Sequence, residues 1–419
     1  MDRKVNPGSG TRRAPRVVFL IRSFGFPEGM AATNRVRLLG RALTEQNAAV
    51  AVICMRVSER PGEVRNRSVV GSADGIPFIY APGSTVRSDS FVVRRWREAR
   101  GYVRTLLALR GLKARGSLDC VFLADGGSEK WHPSVSFLLA WLGRLGVPVI
   151  TELNELPRLQ AWLPRRLSGR LSHLAGIDGA VAISAWLSEW AAGEARRIHR
   201  GVDIVEIPIV VDTGEQTIAP HPDHSQLFVY SASNAYMCDL AFVLMSMRRV
   251  WERFPEAELM VTGMRPQGVA VVVDGEHVRH AVDDGRLRIC GYLERPALLA
   301  AYQNAAALLI PLHDDLRSRA RFPSKVGEYL ASGRPVVTTR VGEVERFLRD
   351  GDTAYIAAPD DVAAFSDKMT EVLEDAQRAT AVGAAGRRTA EELFSYGPQG
   401  SRLKDLIERI CSATCGSAR

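Results

Sequence analysis

The stretch that most restricts what this chain can fold into is Ala307 to Arg340, ALLIPLHDDLRSRARFPSKVGEYLASGRPVVTTR. Its pattern predicts a buried strand over Ala307–Leu312, a charged loop, a short helix opening near Pro323 and a second strand from Pro335. The helix rests on punctuation: Pro323 and Ser324 suit a first turn, Gly333 suits the left-handed position after the last turn, and Pro335 prevents continuation. Such a unit belongs to an open α/β sheet, where ligands bind beyond the carboxyl ends of the strands. A helix N-terminus placed there offers unpaired N–H groups and partial positive charge to an anion. Arg317, Arg319, Arg321 and Lys325 would surround that turn, and Glu328, on the face of Lys325, could accept two hydrogen bonds from a ribose diol. A nucleoside diphosphate would require this set. A solvated loop of arginines and a glutamate that merely suits a first turn explain the same residues, and chemistry alone leaves both readings open.

The same alternation runs through the whole chain. Strands are expected at Arg16–Ile21, Ala48–Met55, Pro77–Ala81, Cys120–Leu123, Pro148–Thr151, Gly179–Ser184 and Asp203–Val211. They recur at Leu227–Ser231, Glu258–Thr262, Leu287–Cys290 and Ala307–Leu312, again with helical stretches between them. Strand and helix alternating twice over predict an α/β protein of two doubly wound, Rossmann-like domains facing a cleft. The expected division is a disordered N-terminus (1–15), a first, acceptor-side domain (16–212), a linker (213–226), a second, donor-binding domain (227–385) and a C-terminal segment (386–419) returning toward the first domain. The returning helix is expected over about Ala381–Phe394.

The run FPSKVGEYLASGRPVV, continued by TTRVGEV, resembles the C-terminal signature of the family 4 glycosyltransferases, retaining, nucleotide-sugar-dependent enzymes of the GT-B fold. The likeness extends over about residues 16–410 and is concentrated in 320–345. It implies that Glu328 contacts the donor ribose and that Ser324 and Lys325 hold the diphosphate. It further implies that the loop SFGFPEGM, with Gly25 and Gly29, and Arg35 of the next helix line the acceptor side of the cleft. The reaction so implied uses the leaving diphosphate to help deprotonate the acceptor on the same face. It needs no metal, no cofactor beyond the donor and no glycosidase-like pair of carboxylates.

Two donor contacts of the family pattern are absent. The loop Ser231–Asp239 (SASNAYMCD) has no cation, and the glutamate expected eight residues before Glu328 falls on Ala320. Arg317, Arg319, Arg321 and Lys325 are the expected substitutes, with Arg321 and Lys325 stabilising the departing diphosphate. Asn154 stands where the family commonly has the histidine of an H-E-x-P segment. Its amide can position a sugar hydroxyl but cannot move a proton, so its expected catalytic part is positioning.

Charge divides the chain. Residues 1–200 hold 31 Lys/Arg against 16 Asp/Glu, a net +15, and residues 201–419 hold 24 against 31, a net −7. The basic half suits an anionic membrane surface or acceptor, and it lacks the aromatic interleaving and motifs of nucleic-acid binding. Phe91–Arg115 reads as a basic, amphipathic helix: rest on anionic lipid and ordinary docking of a surface helix by one apolar stripe explain the same pattern, and the second is favoured. In Leu159–Leu171, Trp162 beside Arg165 and Arg166 is the expected membrane or acceptor contact. No apolar run reaches the roughly 18 residues of a membrane span, the nearest, Ser136–Ile150, being broken by Arg144 and two glycines, and Val17–Ile21 is too short for a signal peptide. A cytoplasmic protein, peripheral at most to the inner face of the membrane, is expected. The six cysteines lack metal-ligand spacing and read as buried thiols, and Asp314 and Asp315 read as solvated carboxylates.

The expected function is transfer of a sugar from a nucleotide diphosphate to a glycan or lipid-linked acceptor in polysaccharide, glycolipid or glycoconjugate biosynthesis. A nucleotide-sugar 2-epimerase of the same fold and a nucleotide-sugar-binding scaffold or pseudoenzyme are the alternatives.

Overall fold

The computed structural model describes residues 13–124, 133–156, 172, 174–216, 225–265 and 276–417. Trp162, Arg165 and Arg166 lie outside the described residues, as do the first twelve residues and positions 217–224 of the expected linker.

One sheet contains β1 (Arg16–Ile21), β2 (Ala49–Cys54), β3 (Val70–Ala73), β4 (Ile76–Tyr80), β5 (Cys120–Leu123), β6 (Val149–Leu153), β7 (Gly179–Ala182) and β8 (Asp203–Glu206). Their order is β3-β4-β2-β1-β5-β6-β7-β8, parallel throughout except for the β3–β4 hairpin. The second sheet contains β9 (Leu227–Ser231), β10 (Glu258–Thr262), β11 (Leu287–Gly291), β12 (Ala307–Ile310), β13 (Val336–Thr339) and β14 (Tyr355–Ala357), in the all-parallel order β11-β10-β9-β12-β13-β14. Parallel strands covered on both faces read as unbroken apolar runs, which makes RVVFLI, AVAVIC and CVFL legible in sequence. Two strands lie outside the sequence expectation. β3 is a half-exposed VGSA at the edge, and β14 is only three residues long.

Helices α1 (Ala31–Glu45), α2 (Phe91–Ala114), α3 (Pro133–Arg144) and α4 (Ala185–Arg197) accompany the first sheet. With the second go α5 (Met237–Arg253), α6 (Glu276–Asp283), α7 (Arg295–Gln303), α8 (Leu316–Ala320), α9 (Ser324–Ala331), α10 (Glu343–Phe347), α11 (Val362–Glu374) and α12 (Ala376–Thr389). The helix that returns to the first sheet is α13 (Tyr396–Ser417), which packs on α1, β7 and β8. The segment expected to return, Ala381–Phe394, instead starts as α12 against α9 and α11 of the second domain. The reason is where the apolar stripe lies. Leu403, Leu406, Ile407 and Ile410 share one face and join Val17, Phe19 and Ile21 in one core, each contributing about 1.5–3 kcal/mol by burial.

The cysteines divide. Cys54 and Cys120 are buried, but Cys238 and Cys290 are exposed. Cys290 lies on β11, the edge strand, where alternate residues Arg288 and Cys290 face solvent. Among the described residues, no helix is long and apolar enough to cross a membrane.

Candidate functional site

At the carboxyl edge of the second sheet, β12 leads through α8 into α9, with Pro323 capping α9 and Gly333 at φ 73° just past its end. The stretch read as a charged loop therefore contains a helical turn. Asp315 caps it by accepting from the Ser318 N–H at 2.6 Å, and Asp314 binds Arg319 through two contacts of 2.7 and 2.9 Å. Neither carboxylate is merely solvated, and Arg319, 56% exposed, is spent on Asp314.

Arg317 and Arg321 are arranged differently. Their guanidinium carbons lie 5.3 and 4.9 Å from the ring centroid of Tyr236, and Arg321 Nη1 donates to the Tyr236 hydroxyl at 2.8 Å. The Nε of each is buried and has no hydrogen-bond partner among the described residues. Tyr236 belongs to the loop after β9, the one without a cation, so that loop supplies an aromatic platform for two arginines from elsewhere. Nearby, burial pushes the Asp239 carboxyl up despite the pull of His313, Arg321 and Arg317.

Lys325 Nζ lies 2.9 Å from Glu328 Oε2 and donates to the Tyr302 hydroxyl at 3.1 Å. Glu328 Oε1 lies 3.4 Å from Arg295, whose guanidinium also grips Glu215 at 2.9 and 2.6 Å. The chain Glu215–Arg295–Glu328–Lys325 alternates in sign. Burial works against the Glu328 charge, but Lys325 and Arg295 hold its pKa below the ordinary glutamate value. Burial likewise opposes the Lys325 charge, and Glu328 together with Tyr302 and Tyr329 holds it above the ordinary lysine value. Glu328 is thus 7% exposed and held between two cations rather than open to a ribose. Ser324, the first residue of α9, is partly buried.

The acceptor-side expectations fare unevenly. Arg35 is 5% exposed and internally consumed: Nε meets Glu152 at 2.5 Å, Nη2 donates to the Ile207 carbonyl at 2.7 Å and Nη1 donates to the Pro208 carbonyl. A buried guanidinium must satisfy its donors, so Arg35 braces the first domain instead of facing a ligand. Gly25 and Gly29 are required by packing against neighbouring segments, since a Cβ would fall 2.7 Å from Ser58 Oγ, past β2, at Gly25 and would overlap Thr33 of α1 at Gly29. The Thr33 hydroxyl closes that loop by donating to the Gly25 carbonyl at 2.8 Å. Asn154 directly follows β6, and its Oδ1 is buried with no hydrogen-bond partner among the described residues.

Across the cleft, the Ser184 hydroxyl donates to the Ala320 carbonyl at 2.6 Å, and the Ala185 N–H donates to Glu343 Oε1 at 2.9 Å. Ala320 is fully buried, so the position expected to carry a glutamate is instead part of the interdomain contact. Tyr236, Arg295, Glu215 and Tyr302 escaped the sequence reading. The available signal was only the lone tyrosine in a cation-less loop.

The family described as glycosyl transferases group 1 matches residues 225–375. Two curated mycobacterial relatives are similar in sequence. One is a GDP-mannose-dependent alpha-(1-6)-phosphatidylinositol monomannoside mannosyltransferase of Mycolicibacterium smegmatis, 35% identical over 80 residues, which are 19% of this chain and 21% of that protein. The other is a glycogen synthase of Mycobacterium tuberculosis, 29% identical over 294 residues, which are 65% of this chain and 67% of that protein. The first match therefore spans only about a fifth of that relative's length. Among solved structures, a sucrose-phosphate synthase from Thermosynechococcus elongatus superposes with a TM-score of 0.69 at 16% identity, covering 95% of this chain and all of that one. The Anabaena protein Alr3699/HepE, solved with UDP and glucose, gives 0.64 at 11% identity, covering 94% and 99% of the two chains. These likenesses are of fold: two facing Rossmann-like domains in the GT-B arrangement.

Proposed function

We propose that this chain is a group 1 glycosyltransferase of the GT-B fold that moves a sugar, with retention, from a nucleoside diphosphate donor to a glycan or lipid-linked acceptor. The observation that carries the reading is the pair Arg317 and Arg321, held on Tyr236 with unpartnered Nε donors beside the first turn of α9. In such a transfer the bond between the anomeric carbon and the diphosphate breaks, the acceptor oxygen bonds to that carbon, and the acceptor proton passes to the leaving diphosphate. Charge then grows on the diphosphate. Arg321 and Lys325, with Arg317, supply the neutralisation, so the reading needs no metal. The first-turn N–H groups of α9 beside Ser324 add a weaker term.

A ribose diol engages Glu328 by taking the oxygen that now contacts Arg295 at 3.4 Å, the longer of its two ion pairs. The Asn154 carbonyl oxygen accepts from a hydroxyl of the transferred sugar. That relatives are named for phosphatidylinositol mannoside and glycogen chemistry supports a lipid-linked or glycan acceptor. This reading has donor and acceptor meeting on the cytoplasmic side.

Calorimetric titration of UDP, GDP and their sugar conjugates into wild type and Arg321→Ala tests the reading. Saturable binding by wild type that is weakened in the variant supports it, and no binding of any nucleotide removes it. The buried Ala320, bonded to Ser184 where the family pattern has a sugar-binding glutamate, favours a second reading, binding without turnover. Donor bound but never consumed with any acceptor would select that reading. Donor altered without acceptor would select the 2-epimerase.

A further inference from the structure

We propose that α2 docks this chain on an anionic lipid surface through a second apolar stripe, Val92, Trp96, Val103 and Leu107, flanked by arginines. The inference stands apart from the transferase reading, since it uses no residue of the donor site.

The helix is apolar on two opposite faces. Gly101, Thr105 and Leu109 are buried against the first domain and form the docked stripe. Val92, Trp96, Val103 and Leu107 are separated by four, seven and four residues, which places them on one face away from the docked one. They are 74, 58, 53 and 62% exposed. The sequence expectation of a single docked stripe is therefore incomplete. Phe91 at the start of the helix and Phe137 on the neighbouring α3 are also more than half exposed.

Charge decides what covers this face. The helix carries Arg94, Arg95, Arg97, Arg100, Arg104, Arg110 and Lys113 against one acid, Glu98, which is paired with Arg95 at 2.7 Å, leaving a net charge of +6. Arg100 lies over the Trp96 ring at 5.0 Å, and Arg94 and Arg95 lie over Phe91 at 5.6 and 5.2 Å. A second copy of the chain would set like charge against like charge. A polyanion such as nucleic acid would neutralise the arginines and leave the stripe in water. An anionic bilayer surface accepts both components, with rings and aliphatic side chains at the acyl boundary and guanidinium groups among the headgroups.

The position of the helix fits the cleft. A Cβ at Gly101 would overlap the Met55 carbonyl, just past β2, and crowd Pro82, just past β4. Gly101 thus sits level with the carboxyl edge of the first sheet. The other end of α2 is at the amino edge, where Lys113 donates to the Gly146 carbonyl at 3.0 Å. The ten residues before Gly101, about 15 Å of helix at 1.5 Å per residue, project beyond the sheet on the side where Asn154 lies. A bilayer held by Phe91, Val92 and Trp96 therefore adjoins the end of the domain that faces the second one.

Co-sedimentation of the full chain with phosphatidylcholine vesicles, plain or containing roughly a third phosphatidylglycerol, provides the test. Wild type is expected on the anionic vesicles at least about tenfold more than on the neutral ones. Val92→Asp with Trp96→Asp is expected to lower that binding by about tenfold or more, with unchanged unfolding temperature and nucleotide affinity. Arg100→Gln with Arg110→Gln is expected to cost about fivefold for each charge and to flatten the salt dependence. Wild type that ignores anionic vesicles, or an aspartate double variant that binds like wild type, overturns the proposal. Self-association lost in the aspartate variant, without vesicle binding by wild type, would assign the face to a second copy instead.

Discussion

Arg35 in the first domain and Arg321 in the second read alike in sequence, each an arginine near a glycine- or proline-bearing loop at the carboxyl edge of a sheet. The fold treats them oppositely. Arg35 spends Nε, Nη1 and Nη2 on Glu152 and two carbonyls, whereas Arg321 has a tyrosine hydroxyl and ring and a buried Nε without a partner among the described residues. A cation can bind a ligand only with the donors that its own fold leaves over. By that criterion the first domain uses Arg35 for stability, and the second holds Arg321 and Arg317 in reserve.

The strongest way to break this comparison is Arg35→Ala, which strands the Glu152 carboxylate in the core. A loss of about 4 kcal/mol in denaturant unfolding is expected, with nucleotide affinity per folded molecule unchanged. Full stability combined with lost nucleotide binding would reverse the assignment.

Glu328→Gln comes next, since it leaves Lys325 and Arg295 facing a neutral amide, and about 3 kcal/mol of stability should be lost at pH 7. The pH dependence carries the sign. The folded pKa of Glu328 lies below its unfolded value, so its contribution is complete above the ordinary carboxylate pKa and disappears as pH falls through the folded value. The difference between wild type and Glu328→Gln in unfolding temperature should therefore be large at neutral pH and close in acid. A constant difference would show that Glu328 acts by shape and not by charge.

Arg321→Ala sharpens the comparison from the other side. Loss of one charge-assisted contact to a diphosphate should weaken nucleotide binding by about 2 kcal/mol, roughly thirtyfold, while stability moves within about 0.5 kcal/mol. Calorimetry and thermal unfolding of the same preparation would separate the two effects. The smallest effect is expected for Tyr236→Phe, which keeps the ring under both arginines but removes the hydroxyl at 2.8 Å from Arg321. Binding should weaken by about 1 kcal/mol, roughly fivefold. No change would mean that the ring alone positions the arginines.

The legible parts of this protein were those written locally. Unbroken apolar runs marked most of the parallel strands, and Pro323 and Gly333 marked the ends of α9 to within a residue. The edge strand β3 escaped because half-exposed VGSA carries no periodic signal, and α8 escaped because five residues are too few to show one. The cations around the start of α9 were legible by type and position, but not their state: Arg319 belongs to Asp314, and Glu328 is clasped by an Arg295 that nothing nearby in sequence announces.

The amino-acid sequence by itself determined two doubly wound α/β domains and the place of the turn that opens α9, because helix period, strand period and the backbone limits of proline and glycine act over a few residues. Only the tertiary structure decided which charges remain available. Arg35 meets Glu152 across 117 positions, Ser184 meets Ala320 across 136, and Arg295 meets Glu215 across 80. Pairing a charge or filling a donor depends on distance in space, and chain order does not encode that distance until the sheets are assembled.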